Sequence, residues 1–372
     1  MVDILKIAIT GAAGDIGYAL LGMLGRGRVF GKCQKIQLNI FDFPEQQSVL
    51  ELSPTSCQRC GSNADLAVAF KDAKAAFLLG SCKPKDMECN DQVFNNFNFF
   101  KEQGKALEKC ANKNVRVLVA DNPFAMAMVC SCYAPSIPKT NFTALSRLDQ
   151  NRATYQIAKK IGVHSSDVRN IVVFGNNSPT VVPFAGFACA KIQDRFSPVK
   201  EMFPDSYFDN ELRKLVANRN QEILAKKKSP PALSVAKAAC DHMHDWWHGI
   251  RTGEFISMGV PSKGSYCVPE DVVFSFPVVI DNKKNYCIVE AANLLENKVE
   301  TTKNIAISTE ELESEQNEIM AFVDKKPYKP CPAYESKILE GFELLDPSKY
   351  KKIKKDMEEI KDDEESDSSN KC

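Results

Sequence analysis

The sequence predicts an α/β protein built on a doubly wound parallel sheet. Three observations carry this: apolar, β-branched runs alternate with stretches of helical periodicity, a glycine-rich turn joins the first run to the first helix, and the chain is 372 residues long. That length is about twice an average domain, so two domains are expected on one chain.

The first run, Ile7 to Thr10, leads into Gly11-Ala12-Ala13-Gly14-Asp15-Ile16-Gly17 and then into Tyr18 to Leu24, where apolar residues recur at helical spacing. Strand, glycine turn and helix in that order suit a phosphate loop. The first glycine permits the tight turn, the second lets backbone amides approach a pyrophosphate, and the third lets the helix pack closely on the strand. The helix N-terminus then faces the anion. A second run, Lys35 to Phe41, ends at Asp42, where an acid meets the ribose hydroxyls of a dinucleotide. An acid there favours NAD over NADP, because it repels a 2′-phosphate. Runs at Ala75 to Gly80 and at Val115 to Ala120 before Asp121-Asn122-Pro123 extend the pattern.

Hydrophobic residues make up 44% of the chain and charged residues 26%, the balance of an ordinary globular protein. Basic and acidic residues number 48 each, so there is no basic excess to attract nucleic acid or an anionic membrane. Basic and aromatic residues do not interleave as a single-strand binding surface requires. No apolar run reaches the roughly 18 residues that span a bilayer. The first ten residues lack both a basic region and a cleavage-like site, so the 14 cysteines are read as reduced thiols of a cytoplasmic protein.

No metal site is expected. Cys57-x-x-Cys60 has no second pair at finger-like spacing and is read as core or surface cysteine. Besides His164, the histidines cluster at His242, His244 and His248 on a helical stretch. His242 and His244 face different sides, and His244 and His248 are one turn apart, a potential ligand pair for which packing or solvation is the better reading.

Five segments resemble the cytosolic-type malate dehydrogenases of the lactate/malate dehydrogenase family: G-A-A-G-D-I-G-Y at 11–18, K-E-Q-G-K-A-L at 101–107, N-F-T-A-L-S-R-L-D-Q-N-R-A at 141–153, G-E-F-I-S-M-G-V at 253–260 and S-F-P-V-V-I at 275–280. The resemblance implies a Rossmann-type NAD-binding domain over 1–153 and an α+β substrate domain over 154–324. The implied reaction interconverts malate and oxaloacetate with NAD. The resemblance assigns Gly11, Gly14, Asp15, Ile16, Gly17, Asp42, Gly80 and Asn122 to the cofactor. It assigns Arg152 and Asn122 to the substrate, and makes Asp149 the partner of a proton-carrying histidine.

That histidine is absent. The family's G-N-H-S reads Gly175-Asn176-Asn177-Ser178, so Asn177 occupies the acid position. An amide donates a hydrogen bond but does not release and retake a proton near neutrality, and general acid catalysis is typically worth about 10²–10⁴-fold. The loop that closes over the substrate in the family carries two arginines. Here it reads Lys83-Pro84-Lys85-Asp86-Met87-Glu88-Cys89, with Cys89 in place of the carbonyl-polarising arginine and Lys83 or Lys85 in place of the other. Lysine pairs with a carboxylate only as a point charge. Cys89 is itself a candidate acid or nucleophile by position alone.

Two readings follow. In the first, the chain is a catalytically impaired, NAD(H)-binding relative that acts as a structural or sensing subunit of a larger assembly. In the second, it is an active NAD-dependent malate dehydrogenase or 2-oxoacid oxidoreductase. The resemblance also implies a homodimer through a helix matching Gln46 to Ser56, which Pro54 argues against by breaking that helix. A tail over 325–372 begins with a proline-punctuated linker, Lys325 to Pro332. Ile338, Leu339, Phe342, Leu344 and Leu345 follow, then a basic run at Lys349 to Lys355 and an acidic end at Asp356 to Asp367. The apolar cluster suggests docking onto a protein partner or onto the chain's own body, the acidic end a solvated segment, and the location a cytoplasmic structure or complex.

Overall fold

The computed structural model describes residues 4–43, 46, 57–59, 66–80, 89–290 and 298–324. In the nucleotide half the order is β1 (Leu5–Thr10), α1 (Asp15–Gly25), β2 (Ile36–Phe41), β3 (Cys57–Arg59), α2 (Leu66–Phe70), β4 (Ala75–Leu78), α3 (Cys89–Cys110), β5 (Arg116–Val119), α4 (Pro123–Cys132) and β6 (Phe142–Ala144). All six strands run parallel, in the order β3-β2-β1-β4-β5-β6. The strands expected at Ile7, Lys35, Ala75 and Val115 are the four central ones. Being covered on both faces, they are apolar almost throughout: Ile7, Ala8 and Ile9 in β1 and Val117, Leu118 and Val119 in β5 are fully buried.

The second half comprises α5 (Arg147–Ile161), β7 (Val168–Arg169), β8 (Val172–Phe174), β9 (Val182–Phe184), β10 (Cys189–Ile192), β11 (Arg195–Pro198), α6 (Arg213–Ala217), α7 (Arg219–Lys227), α8 (Ala232–His248), β12 (Ile256–Pro261), β13 (Val273–Ile280), β14 (Tyr286–Ile288) and α9 (Val299–Asp324). Strands β12, β13 and β14 extend the main sheet in antiparallel sense beyond β6, giving nine strands. The junction pairs Gly259 with Ala144. A Cβ on Gly259 would lie 2.5 Å from the Ala144 Cβ, so this approach of two strands needs glycine. Smaller sheets, β11-β10-β7 and β8-β9, lie beside it.

One core runs through both halves, from Leu20, Leu21 and Leu24 of α1 through Phe77 and Phe124 to Trp246, Phe274 and Phe276. A second, smaller core packs Ala153, Ile157 and Ala158 of α5 against Val173, Tyr207 and Leu212. Polar pins cross the first core. Arg116 donates to the Trp246 and Lys284 carbonyls at 2.8 and 3.1 Å, and its guanidinium lies over both Trp246 and Trp247. His242 is fully buried with Nε2 3.0 Å from the Thr143 hydroxyl, which itself donates to the Val117 carbonyl. Nε2 therefore carries the proton, and Nδ1 meets no polar atom.

The remaining histidines have local partners: His244 Nδ1 lies 3.0 Å from Asp245 and His248 Nε2 lies 2.9 Å from the Val29 carbonyl. His242 points inward and His244 is exposed, the two sides that their spacing implies. Among the described residues no three potential ligands converge as a metal site. Cys33, Cys110, Cys130, Cys132, Cys189, Cys240, Cys267 and Cys287 are free thiols. Cys57 lies in β3. Pro54, Cys60, Lys83, Lys85 and the tail from 325 lie outside the described residues.

Candidate active site

Because the strands are parallel, the residues that follow β1, β2, β4 and β5 all reach the same edge of the sheet. They are Gly11, Asp42, Gly80 and Asn122. Gly11 has φ +70°, and a Cβ there would lie 2.5 Å from the Gly80 nitrogen. A Cβ on Gly17 would lie 2.5 Å from the Gly11 carbonyl oxygen, so the first turn of α1 is pressed against the loop. Gly14 is the extended N-cap of α1 and brings no side chain to the helix end, which leaves first-turn amides facing outward. Asp15 and Ile16 form that first turn.

Asp42 closes the other side. One carboxylate oxygen accepts the Ala13 N–H at 2.8 Å and the other accepts the Phe43 N–H at 2.9 Å. Burial raises its pKa and these two amides oppose the rise. Each oxygen keeps acceptor capacity for a hydroxyl. A backbone cradle closed to side chains beside an acid that only accepts suits the pyrophosphate and adenosine ribose of NAD.

Beyond β6, α5 places Asp149 and Arg152 one turn apart. Asp149 is 4% exposed, and its Oδ1 accepts from Arg152 Nη1 at 2.9 Å. The other guanidinium arm, Nη2, donates to Asn220 Oδ1 at 2.6 Å. Burial raises the Asp149 pKa, and the Arg152 charge pulls against it. Gln150 fixes the helix, donating to the Ile171 carbonyl at 2.9 Å and accepting from the Ser257 amide at 2.8 Å.

The loop after β8 carries Asn177. Gly175 has φ +87°, and a Cβ there would lie 2.2 Å from Ser308 Oγ of α9. Asn176 turns inward: it is 5% exposed, its N–H donates to Ser308 Oγ at 3.1 Å, and its Oδ1 accepts the Ser178 N–H at 2.6 Å. Asn177 is exposed. Cys89 begins α3, with its backbone alone described.

Three contributors escaped the sequence reading. Asn220 accepts from one arm of Arg152. Glu311 of α9 accepts from Ser178 Oγ at 2.9 Å and from Thr180 Oγ1. Glu315, one turn further on, hydrogen-bonds Asn122, the left-handed N-cap of α4, while burial raises its pKa. Ser308, Glu311 and Glu315 thus join the Asn177 loop to Asn122. Their spacing of three and four along one helix was the available signal.

A glycine cradle and a part-buried acid at the carboxyl edge of a doubly wound sheet, followed by a helix that offers an Asp–Arg pair, define a two-part α/β protein of the dinucleotide-binding kind. Residues 5–143 match the NAD binding domain of lactate/malate dehydrogenase, and residues 146–323 match the alpha/beta C-terminal domain of lactate/malate dehydrogenase. The chain belongs to the lactate/malate dehydrogenase family. It is 43% identical to cytoplasmic malate dehydrogenase of Taenia solium over 290 residues, 75% of this chain and 87% of the relative. It is 42% identical to the human cytoplasmic enzyme over 295 residues, 76% and 88% of the two chains. Among solved structures it resembles Trichomonas vaginalis lactate dehydrogenase in complex with NADH and oxamate, with a TM-score of 0.78, 29% identity and coverage of 87% and 100%. Malate dehydrogenase from Naegleria fowleri gives a TM-score of 0.76 at 30% identity, covering 86% and 99%. No helix among the described residues is long and apolar enough to cross a membrane.

Proposed function

We propose that this chain binds NAD(H) through its 1–153 domain, turns over malate and oxaloacetate poorly between Asp149 and Arg152 at the end of that domain and the 154–324 domain, and acts in the cytoplasm as a structural or sensing subunit of a larger assembly. One observation carries the reading: Arg152, matched to the substrate clamp, spends one arm on Asp149 and the other on Asn220. One N–H of each arm is thus held inside the protein, which ties the guanidinium to Asp149 and Asn220 and leaves its other three N–H donors for a substrate carboxylate, while Asp149 is committed to Arg152 rather than to a proton carrier.

The cofactor, when bound, supplies or accepts the hydride. The chain must then deliver a proton to the carbonyl oxygen, and Asn177 offers an amide N–H that it does not give up. Asp149, which in the family holds the proton carrier, here holds Arg152 instead. The Gly11–Gly17 cradle and Asp42 depend on neither residue, so cofactor binding survives the loss of proton transfer.

Glu315 favours a second reading, an active malate dehydrogenase or other 2-oxoacid oxidoreductase. Its carboxyl hydrogen-bonds Asn122 and burial raises its pKa above the ordinary carboxylate value, which makes it a candidate proton carrier at that edge of the sheet.

The test is a titration of the purified full chain with NADH beside an assay of NADH oxidation with oxaloacetate. Binding is expected, with turnover about 10²–10⁴-fold below an ordinary family enzyme. Asn177→His with Cys89→Arg is expected to recover part of it. Turnover within about tenfold of an ordinary enzyme refutes impairment, and its loss in Glu315→Gln with NADH binding intact establishes the second reading.

A further inference from the structure

The ends of α3, α4 and α9 meet in an aromatic surface. Phe322, in the last turn of α9, packs its ring 5.6 Å from Phe94 and 5.7 Å from Phe97, and Phe97 lies 6.3 Å from Tyr133. Phe97 is buried, but Phe94 and Phe322 remain 47% and 41% exposed. Two neighbouring large apolar rings left half open form an apolar patch on this face. Along the same face of α3 the charge turns positive. The ammonium of Lys101 lies 5.8 Å over Phe97 and 5.5 Å over Tyr133, and Lys105, also paired with Glu102, lies 6.0 Å over Tyr133. Lys109 continues the row one turn on.

We propose that this surface receives the chain's own C-terminal tail: the apolar residues between Ile338 and Leu345 cover Phe94 and Phe322, and acidic residues between Asp356 and Asp367 follow the Lys101–Lys105–Lys109 row. Three features select this occupant. First, the tail starts at the surface, since Asp324, the last described residue, is two positions beyond Phe322. The 13 residues from Lys325 to Lys337 span at most about 45 Å when extended, so Ile338 cannot go far from the patch. A tether this short holds the segment at an effective concentration in the millimolar range, so a weak contact suffices. Second, Ile338, Leu339, Phe342 and Leu345 have the spacing of one helical face, which matches two open rings rather than an extended groove. Third, the acidic end is opposite in sign to the lysine row.

The experiment is hydrogen exchange on the full-length protein, read at the amides of residues 338–345. Those amides are expected to exchange more slowly than free chain. Phe94→Asp combined with Phe322→Asp is expected to speed them about tenfold, because two half-exposed rings are lost from the contact. Lys101→Glu combined with Lys105→Glu tests the charge row separately, and unchanged exchange in β1 and β5 shows that the body has stayed folded. Free-chain rates in the unmodified protein overturn the proposal, as does protection that survives both double variants. Protection that disappears on dilution assigns the contact to a second copy and overturns it too.

Discussion

Lowering the pH weakens this fold through one buried ring. His242 is held neutral by complete burial, with the Arg147 charge acting in the same direction and Asp245 opposing, so that its pKa falls from 6.5 to about 3. In the unfolded chain the ring regains its ordinary pKa. Between those two values unfolding takes up a proton, so stability falls as pH falls below about 6.5 and the loss is complete near the native value. From about pH 7.5 to pH 5 the difference is about 2 kcal/mol, and any native pKa below about 4 gives nearly the same figure. Urea unfolding of the natural chain and of His242→Gln at both pH values isolates the effect. Gln retains an N–H for the Thr143 hydroxyl but does not titrate, and the carboxylates that also respond, such as Asp149 and Glu315, are common to both proteins and cancel. The natural chain should lose about 2 kcal/mol more than the variant on acidification. Equal losses would show that His242 is not buried as a neutral ring and would refute the reasoning.

Two further outcomes test the scaffold. Gly11→Ala places a Cβ 2.5 Å from the Gly80 nitrogen at a φ of +70°, so it should cost about 3 kcal/mol or more and abolish NADH binding, measured by thermal melting and NADH fluorescence titration. Arg116→Lys keeps the charge but loses the two-armed grip on the Trp246 and Lys284 carbonyls. It should destabilise by about 2 kcal/mol in urea unfolding and leave NADH affinity unchanged.

The nucleotide half was legible because its determinants are local. The glycines, the strand before them and Asp42 lie within the first 42 residues, and strand alternation fixes which edge they share. The positions of Asp149, Arg152 and Asn177 came from motif resemblance, but their bonding did not. That Arg152 reaches Asn220, 68 positions away, and that Glu315 reaches Asn122 from a helix nearly two hundred residues later, are products of packing between elements that no local pattern encodes. The antiparallel extension is similar: Gly259 reads as an ordinary strand glycine until Ala144 is placed against it.

That junction also sets the order in which the molecule can be completed. Strand β6 is made early but has its outer neighbour, β12, more than a hundred residues further along the chain. Until Ile256–Pro261 has emerged, the growing polypeptide presents one side of β6 without its partner, a sticky margin of the kind that seeds wrong pairings between chains. A fragment cut after the nucleotide half would carry that margin permanently. The NAD-binding portion is thus separable by motif but not by manufacture, and expression of the isolated half requires its raw edge to be blunted.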